Sequence, residues 1–78
     1  MRETPQIGWL YKHFKGEVYK IIGISIDSET LKEYVVYTNV NGSDKKFWHR
    51  EIKEFLDYVD KEKYPNVEAT WRFDLFKR

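Results

Sequence analysis

The fold is decided in residues 33–44, which read EYVVYTNVNGSD. Residues 33–40 are almost wholly β-branched or aromatic, which is the composition of a strand. Asn41 and Gly42 tolerate the positive φ angles that hairpin turns need, so a turn is expected over Asn41–Asp44. A returning strand is expected over Lys45–His49. This stretch therefore predicts an antiparallel hairpin.

A second hairpin is expected ahead of the first. Gly8–Phe14 alternates as a strand does, and Lys15-Gly16 offers a tight turn in which the glycine takes positive φ. Glu17–Ile26 then forms a long strand that is apolar on nearly both sides and bent at Gly23. The polar residues 27–32 connect this strand to the next one.

The last third of the chain changes its periodicity. Residues 51–59 place their apolar side chains on one helical face, which predicts a short helix, and residues 69–75 alternate as a last strand. The order predicts a mainly β fold, a small antiparallel SH3-like barrel or roll with one short helix, and the barrel is preferred. The expected core side chains are Ile22, Ile24, Val36, Trp71 and Phe73.

Composition limits the classes of function. A chain of 78 residues fits one domain, and 14 basic against 13 acidic residues give a net charge of +1. Nucleic acid is therefore not favoured as a partner, because the global positive charge of such binders is missing. Without cysteine, and without an apolar run that could form a signal peptide or a membrane span, we expect a cytoplasmic protein with no membrane partner.

Several short motifs resemble one family. They are Gly8-x-x-Tyr11-x-His13-Phe14-Lys15-Gly16-x-x-Tyr19, Ser28-Glu29-Thr30, Val36-Tyr37, Trp48-x-Arg50, Phe55 and Arg72-Phe73. Together they are similar to the bacterial family called domain of unknown function 1653, in which proline is usual where this chain has Glu51. The resemblance implies a small bacterial domain with no established activity.

The candidate binding residues are His13, Ser28, Glu29, Thr30, Trp48 and Arg50. A histidine and a serine beside a glutamate are the residue types of a hydrolytic triad, but a long strand separates His13 from Ser28, and a polar turn is the favoured interpretation of 28–30. For His13, packing or a backbone hydrogen bond is favoured over catalysis. No histidine pair has ligand spacing, so we expect no metal and no cofactor.

A more promising cluster joins two of these segments. The loop around Glu29 and the segment Trp48–Arg50 are expected at one end of the sheet. Arg50 either pairs with Glu29, which is slightly favoured, or receives an anionic ligand beside the ring of Trp48.

We therefore expect a non-catalytic binding module for a protein, a peptide or a small anionic ligand. The alternative is a small enzyme or a nucleic-acid-binding accessory domain. A deep pocket lined by Glu29, Trp48 and Arg50 would favour a small molecule, whereas a flat aromatic patch flanked by lysines would favour a macromolecule.

Overall fold

The computed structural model describes residues 2–42 and 46–78. Five strands form one antiparallel sheet in the order β4-β3-β2-β1-β5. The prediction of a mainly β fold with one short helix is confirmed, and the open sheet, with β4 and β5 at its edges, is roll-like rather than closed. The elements are β1 (Leu10–His13), β2 (Val18–Ile26), β3 (Glu33–Asn39), β4 (Trp48–Glu51), α1 (Ile52–Phe55) and β5 (Phe73–Lys77).

Two predicted hairpins connect β1 to β2 and β3 to β4. In the first, Gly16 has φ of 106° and its N–H donates to the carbonyl of His13 at 2.8 Å, so the predicted tight turn is confirmed. In the second, part of the predicted turn (residues 43 and 44) and the predicted strand start at residue 45 lie outside the described residues. The strand β4 that pairs with β3 begins at Trp48, later than expected.

A β-bulge interrupts the long strand β2. Ile21 pairs with Tyr37 and Gly23 pairs with Val36, so the register skips Ile22. The extra residue changes which side chains face the core, because cross-strand partners point to the same side of a sheet. Ile21 is fully buried before the bulge, and Ile24, opposite Val35, faces the same side after it. The bend expected at Gly23 coincides with this bulge, and the side chains of β2 do not alternate regularly along the whole strand.

One face of the sheet carries the core. Its central side chains are aromatic, and Phe55 of α1 stacks on Phe73 with a ring-centroid distance of 4.1 Å and meets Tyr11 edge-on at 5.0 Å. Such contacts stabilise a small fold beyond the apolar area that they bury. The buried core cluster comprises Tyr11, Ile21, Val35, Tyr37, Phe55 and Phe73.

Of the five side chains expected in the core, Phe73 alone belongs to this buried cluster. Val36 lies between two buried neighbours on β3 and therefore points to the other face of the sheet. Ile22 is the residue that the bulge leaves unpaired, and Ile24 stays 40% exposed although it faces the core side. Trp71 precedes β5 and stacks on Tyr58 at 4.6 Å instead.

The helix α1 is shorter than the predicted range of residues 51–59. It ends at Phe55, and Leu56 already has φ of −89° and ψ of 3°. The chain then turns so that Tyr58 forms a β-bridge with Trp71, which a continuing helix would not allow. Val59 is nevertheless buried, so the apolar spacing correctly identified residues that face inward.

The segment before β1 contacts the residues at the end of α1 and at the start of β5. The guanidinium of Arg2 donates to the carbonyl of Leu56 at 2.9 Å and to that of Phe73 at 2.7 Å, and it lies 4.2 Å from the ring centroid of Trp71. These contacts tie the start of the described chain to α1 and β5. Across the described ranges, no helix has the length and apolar character to cross a membrane.

Candidate functional site

A cavity of about 280 Å³ lies where the β1–β2 turn meets the loop of residues 60–64. Most of its lining is basic, with one carboxylate, that of Asp60. Because the positive groups outnumber this single negative one, the cavity attracts anions. We call it the basic pocket; its lining residues are His13, Phe14, Lys15, Arg50, Asp60, Lys63, Tyr64 and Arg72.

The β1–β2 turn fixes the first wall of the basic pocket. The backbone N–H of Phe14 donates to the carbonyl of Arg72 at 3.0 Å, which joins the turn to the segment before β5. The Nδ1 atom of His13 accepts a hydrogen bond from the backbone N–H of Lys15 at 3.1 Å. Neutral His13 therefore carries its proton on Nε2, which makes that atom a hydrogen-bond donor.

The charge state of His13 follows from its surroundings. Burial lowers its pKa from the ordinary value, and the positive charges of Lys15 and Arg50 lower it further, against an opposing effect of Glu17. Because an unperturbed histidine already titrates below pH 7, His13 is neutral at neutral pH. The positive charge of the basic pocket then comes from its lysines and arginines.

The loop of residues 60–64 forms the second wall. The Oδ1 atom of Asp60 accepts the backbone N–H groups of Glu62 at 3.0 Å and Lys63 at 3.3 Å, and the Asp60 carbonyl accepts that of Tyr64 at 2.8 Å. The Asp60 carboxylate thus folds its own loop, as aspartate commonly does in turns. The loop is fastened further by Lys61, whose Nζ donates to the carbonyls of Val67 at 2.6 Å and Ala69 at 2.7 Å.

Aromatic rings and ammonium groups join the two walls. The rings of Phe14 and Tyr64 meet edge-on with centroids 5.0 Å apart, and Nζ of Lys15 lies 5.1 Å from the Tyr64 ring centroid. Nζ of Lys63 lies 5.6 Å from the same ring. Hydrogen bonding from Lys15 holds the pKa of the Tyr64 phenol below its ordinary value.

Two arginines form the floor. The Nε atom of Arg50 donates to the Tyr37 hydroxyl at 3.5 Å, and its Nη1 lies 3.9 Å from Oε2 of Glu54. The Nη1 atom of Arg72 donates to the backbone carbonyl of Glu54 at 3.2 Å. A guanidinium has five N–H donors in a rigid fork, so both arginines keep donors for a ligand.

The predicted site residues separate into groups. His13 and Arg50 come together in the basic pocket. Trp48 lies two residues before Arg50 on β4 and therefore on the same face of the sheet. The segment Ser28–Thr30 lies beyond the opposite end of β2 from His13, so the structure keeps the triad residue types apart.

Residues 28–30 form the polar turn that the sequence favours. The Oδ1 atom of Asp27 accepts the backbone N–H groups of Glu29 and Thr30, both at 2.9 Å, and these bonds lower the pKa of Asp27. The Thr30 hydroxyl accepts the N–H of Lys32 at 3.3 Å. Side chains here therefore satisfy the backbone of the turn.

The expected pair of Arg50 with Glu29 is wrong. Within the described residues, the carboxylate that pairs with Arg50 is that of Glu54. The physical reason is local: β4 leads directly into α1, so Glu54, the third residue of the helix, lies only four residues after Arg50. Arg50 lines the basic pocket without Glu29 or Trp48, and a second cavity of about 420 Å³ is lined by Leu31, Lys32, Glu33, Glu51, Ile52 and Lys53.

Several lining residues were missed from sequence. Lys15 and Arg72 belong to the motifs that carry the family resemblance, and this membership was the sequence feature that could have identified them. Lys63 and Tyr64 lie in a polar connection with no periodic pattern, and they reach the β1–β2 turn through tertiary contacts.

No group of three His, Cys, Asp or Glu residues in the described ranges is arranged to hold a metal ion.

Fold and pocket together define a class: a small antiparallel β-sheet protein with a basic pocket walled by aromatic rings at the β1–β2 turn. The sequence pattern of a family described as "Protein of unknown function (DUF1653)" matches residues 9–75, and the chain belongs to this family. The resemblance noted in the sequence is thereby confirmed, and the matched range includes every residue of the basic pocket. Comparison with curated proteins and with solved structures gives no match.

Proposed function

We propose that the protein is a binding module for a small anionic ligand, which the basic pocket holds. The observation that carries this proposal is the concentration of charge. A chain with a net charge of +1 gathers two lysines, two arginines and a histidine around one cavity of about 280 Å³. Its one lining carboxylate is already engaged with the backbone of its own loop.

The arginines support an anion rather than a neutral ligand. Glu54 orients both, through its carboxylate for Arg50 and through its carbonyl for Arg72. Guanidinium groups bind carboxylate and phosphate oxygens in bidentate geometry, and their rigid planar fork loses less entropy for each hydrogen bond than a lysine does. Hydrogen bonds to charged groups contribute roughly 1.5–3 kcal/mol each, so two or three of them sustain measurable binding.

Binding is favoured over catalysis by the role of His13. It is the lining group whose ordinary pKa is closest to neutrality, and its Nδ1 is already used by the β1–β2 turn. The remaining Nε2–H suits a hydrogen bond to an anion. A cavity of this size also suits a small molecule better than the surface of a protein partner.

Calorimetric titration with inorganic phosphate at low ionic strength tests the proposal. We expect Arg50→Gln to weaken phosphate binding at least tenfold. The matched control is Lys12→Gln, which removes one positive charge from the opposite face of β1, where Lys12 pairs with Asp74. Equal weakening by both variants, or no phosphate binding by the wild-type protein, would contradict the proposal.

A further inference from the structure

We infer that the anionic ligand is a mononucleotide, with its phosphate in the basic pocket and its base stacked on the indole of Trp48. This inference rests on the proposed anion site and names the ligand class. Two observations carry it: the position of Trp48 relative to Arg50, and the open state of the Trp48 ring.

Trp48 differs from the other two tryptophans of the chain. The ring of Trp71 is covered by Tyr58 and by Arg2, and the ring of Trp9 lies 5.1 Å from the guanidinium of Arg78. Trp48 is 50% exposed, and in the described part of the chain no ring or cation lies against it. An open indole at a sheet edge is a stacking platform for a planar group.

The register places this platform beside the basic pocket. Trp48 pairs with Tyr37, and Arg50 reaches back to donate to the hydroxyl of that same Tyr37. Residues two apart on a strand lie roughly 6.6 Å from each other on one face. A ligand that joins an anion on Arg50 to a ring on Trp48 therefore needs a short spacer between them. Phosphate, pentose and base supply these three parts in that order.

Charge and cavity size favour one nucleotide over a strand. The cavity of about 280 Å³ is closed on two sides by the β1–β2 turn and the loop of residues 60–64. A net charge of +1 leaves little counterion-release energy for a run of phosphates. Because Trp48 offers a ring face, and stacking accepts any base, we expect little discrimination among bases.

The test compares ligands that differ by one part. Wild-type protein is titrated calorimetrically with AMP, ribose 5-phosphate, inorganic phosphate and adenosine. A stacked base contributes roughly fivefold to 100-fold in affinity, so AMP should bind at least about fivefold more tightly than ribose 5-phosphate. Adenosine, which lacks the phosphate, should not bind measurably.

Three variants locate the base. Trp48→Ala should abolish the difference between AMP and ribose 5-phosphate while leaving ribose 5-phosphate affinity unchanged, and Trp48→Tyr should retain most of the difference. The matched control is Phe76→Ala, because Phe76 is 59% exposed but lies on β5 at the other edge of the sheet. It should leave both affinities unchanged.

The outcomes separate the two proposals. Equal affinity of the wild-type protein for AMP and ribose 5-phosphate overturns the mononucleotide and leaves the anion site standing, whereas no binding of any phosphate compound overturns both. A single-stranded oligonucleotide that binds more than tenfold tighter than AMP at the same salt also overturns the mononucleotide. The wild-type comparison of ligands decides the matter even if Trp48→Ala fails to fold.

Discussion

Replacing Arg50 by glutamine should cost the fold little, although Arg50 lies in the floor of the basic pocket. Its ion pair with Glu54 spans 3.9 Å between side chains that are 36% and 60% exposed. Exposed ion pairs contribute about 0.2–1 kcal/mol. Its hydrogen bond to Tyr37 is 3.5 Å long, beyond the usual range, and adds little. We therefore expect a loss below about 1 kcal/mol, against a total stability of roughly 4–12 kcal/mol for 78 residues.

Urea unfolding of a double-mutant cycle measures this prediction. Arg50→Gln, Glu54→Gln and the double variant should give a coupling free energy of about 0.2–1 kcal/mol. Glu29→Gln serves as the matched control, and its effect should add to that of Arg50→Gln within about 0.3 kcal/mol. A loss above about 2 kcal/mol for Arg50→Gln, or clear coupling to Glu29, would refute the reasoning and make Arg50 a structural residue.

The core, the basic pocket and the balanced net charge support four further predictions. Phe55→Ala should lower the free energy of unfolding by about 3–5 kcal/mol, because it removes the ring stacked on Phe73, and a loss below about 1.5 kcal/mol in urea unfolding would contradict this. Sulfate, which stays fully ionised, should bind more tightly as the pH falls from about 7.5 to about 5, because His13, whose pKa is lowered in the folded protein, then gains a positive charge. His13→Gln should remove this dependence, and a rise in sulfate affinity that persists in the variant would exclude His13 as its source. Because the pKa of His13 is lower in the folded protein than in the unfolded chain, the unfolded chain takes up a proton on His13 at a higher pH. The free energy of unfolding should therefore decrease as the pH falls below about 6.5. Binding to a generic labelled oligonucleotide, followed by fluorescence anisotropy, should be weak and should disappear at about 0.15 M salt; tight binding there would mean that local charge outweighs the balanced total.

The strands and turns were accessible from sequence because their signals are local. β-branched and aromatic composition identified β3, and Lys15-Gly16 identified the turn before β2. The core side chains were harder to identify because strand periodicity assumes an unbroken alternation. The bulge at Ile22 breaks that alternation, and only pairing with β3 reveals it.

The candidate site could be predicted from the sequence only in part, because its residues are brought together by tertiary contacts. His13 and Arg50 were singled out as chemically capable residues, and the fold brings them into one pocket. The partner of Arg50 was misjudged, because the end of β4 and the start of α1 lie later than the pattern suggested. Lys63 and Tyr64 depend on a loop folding back over a distant turn, and composition carries no trace of such a contact.

The bulge in β2 marks the point at which that strand can lose a residue. Deleting Ile22 would leave a regular ladder, with Ile21 opposite Tyr37 and Ile24 opposite Val35 as they are now. Ile21 and Ile24 would then be two residues apart and would both keep the inner face. Deleting a paired residue such as Ser25 would instead move Ile26 to the opposite face, so a one-residue deletion should be far more damaging there than at the bulge.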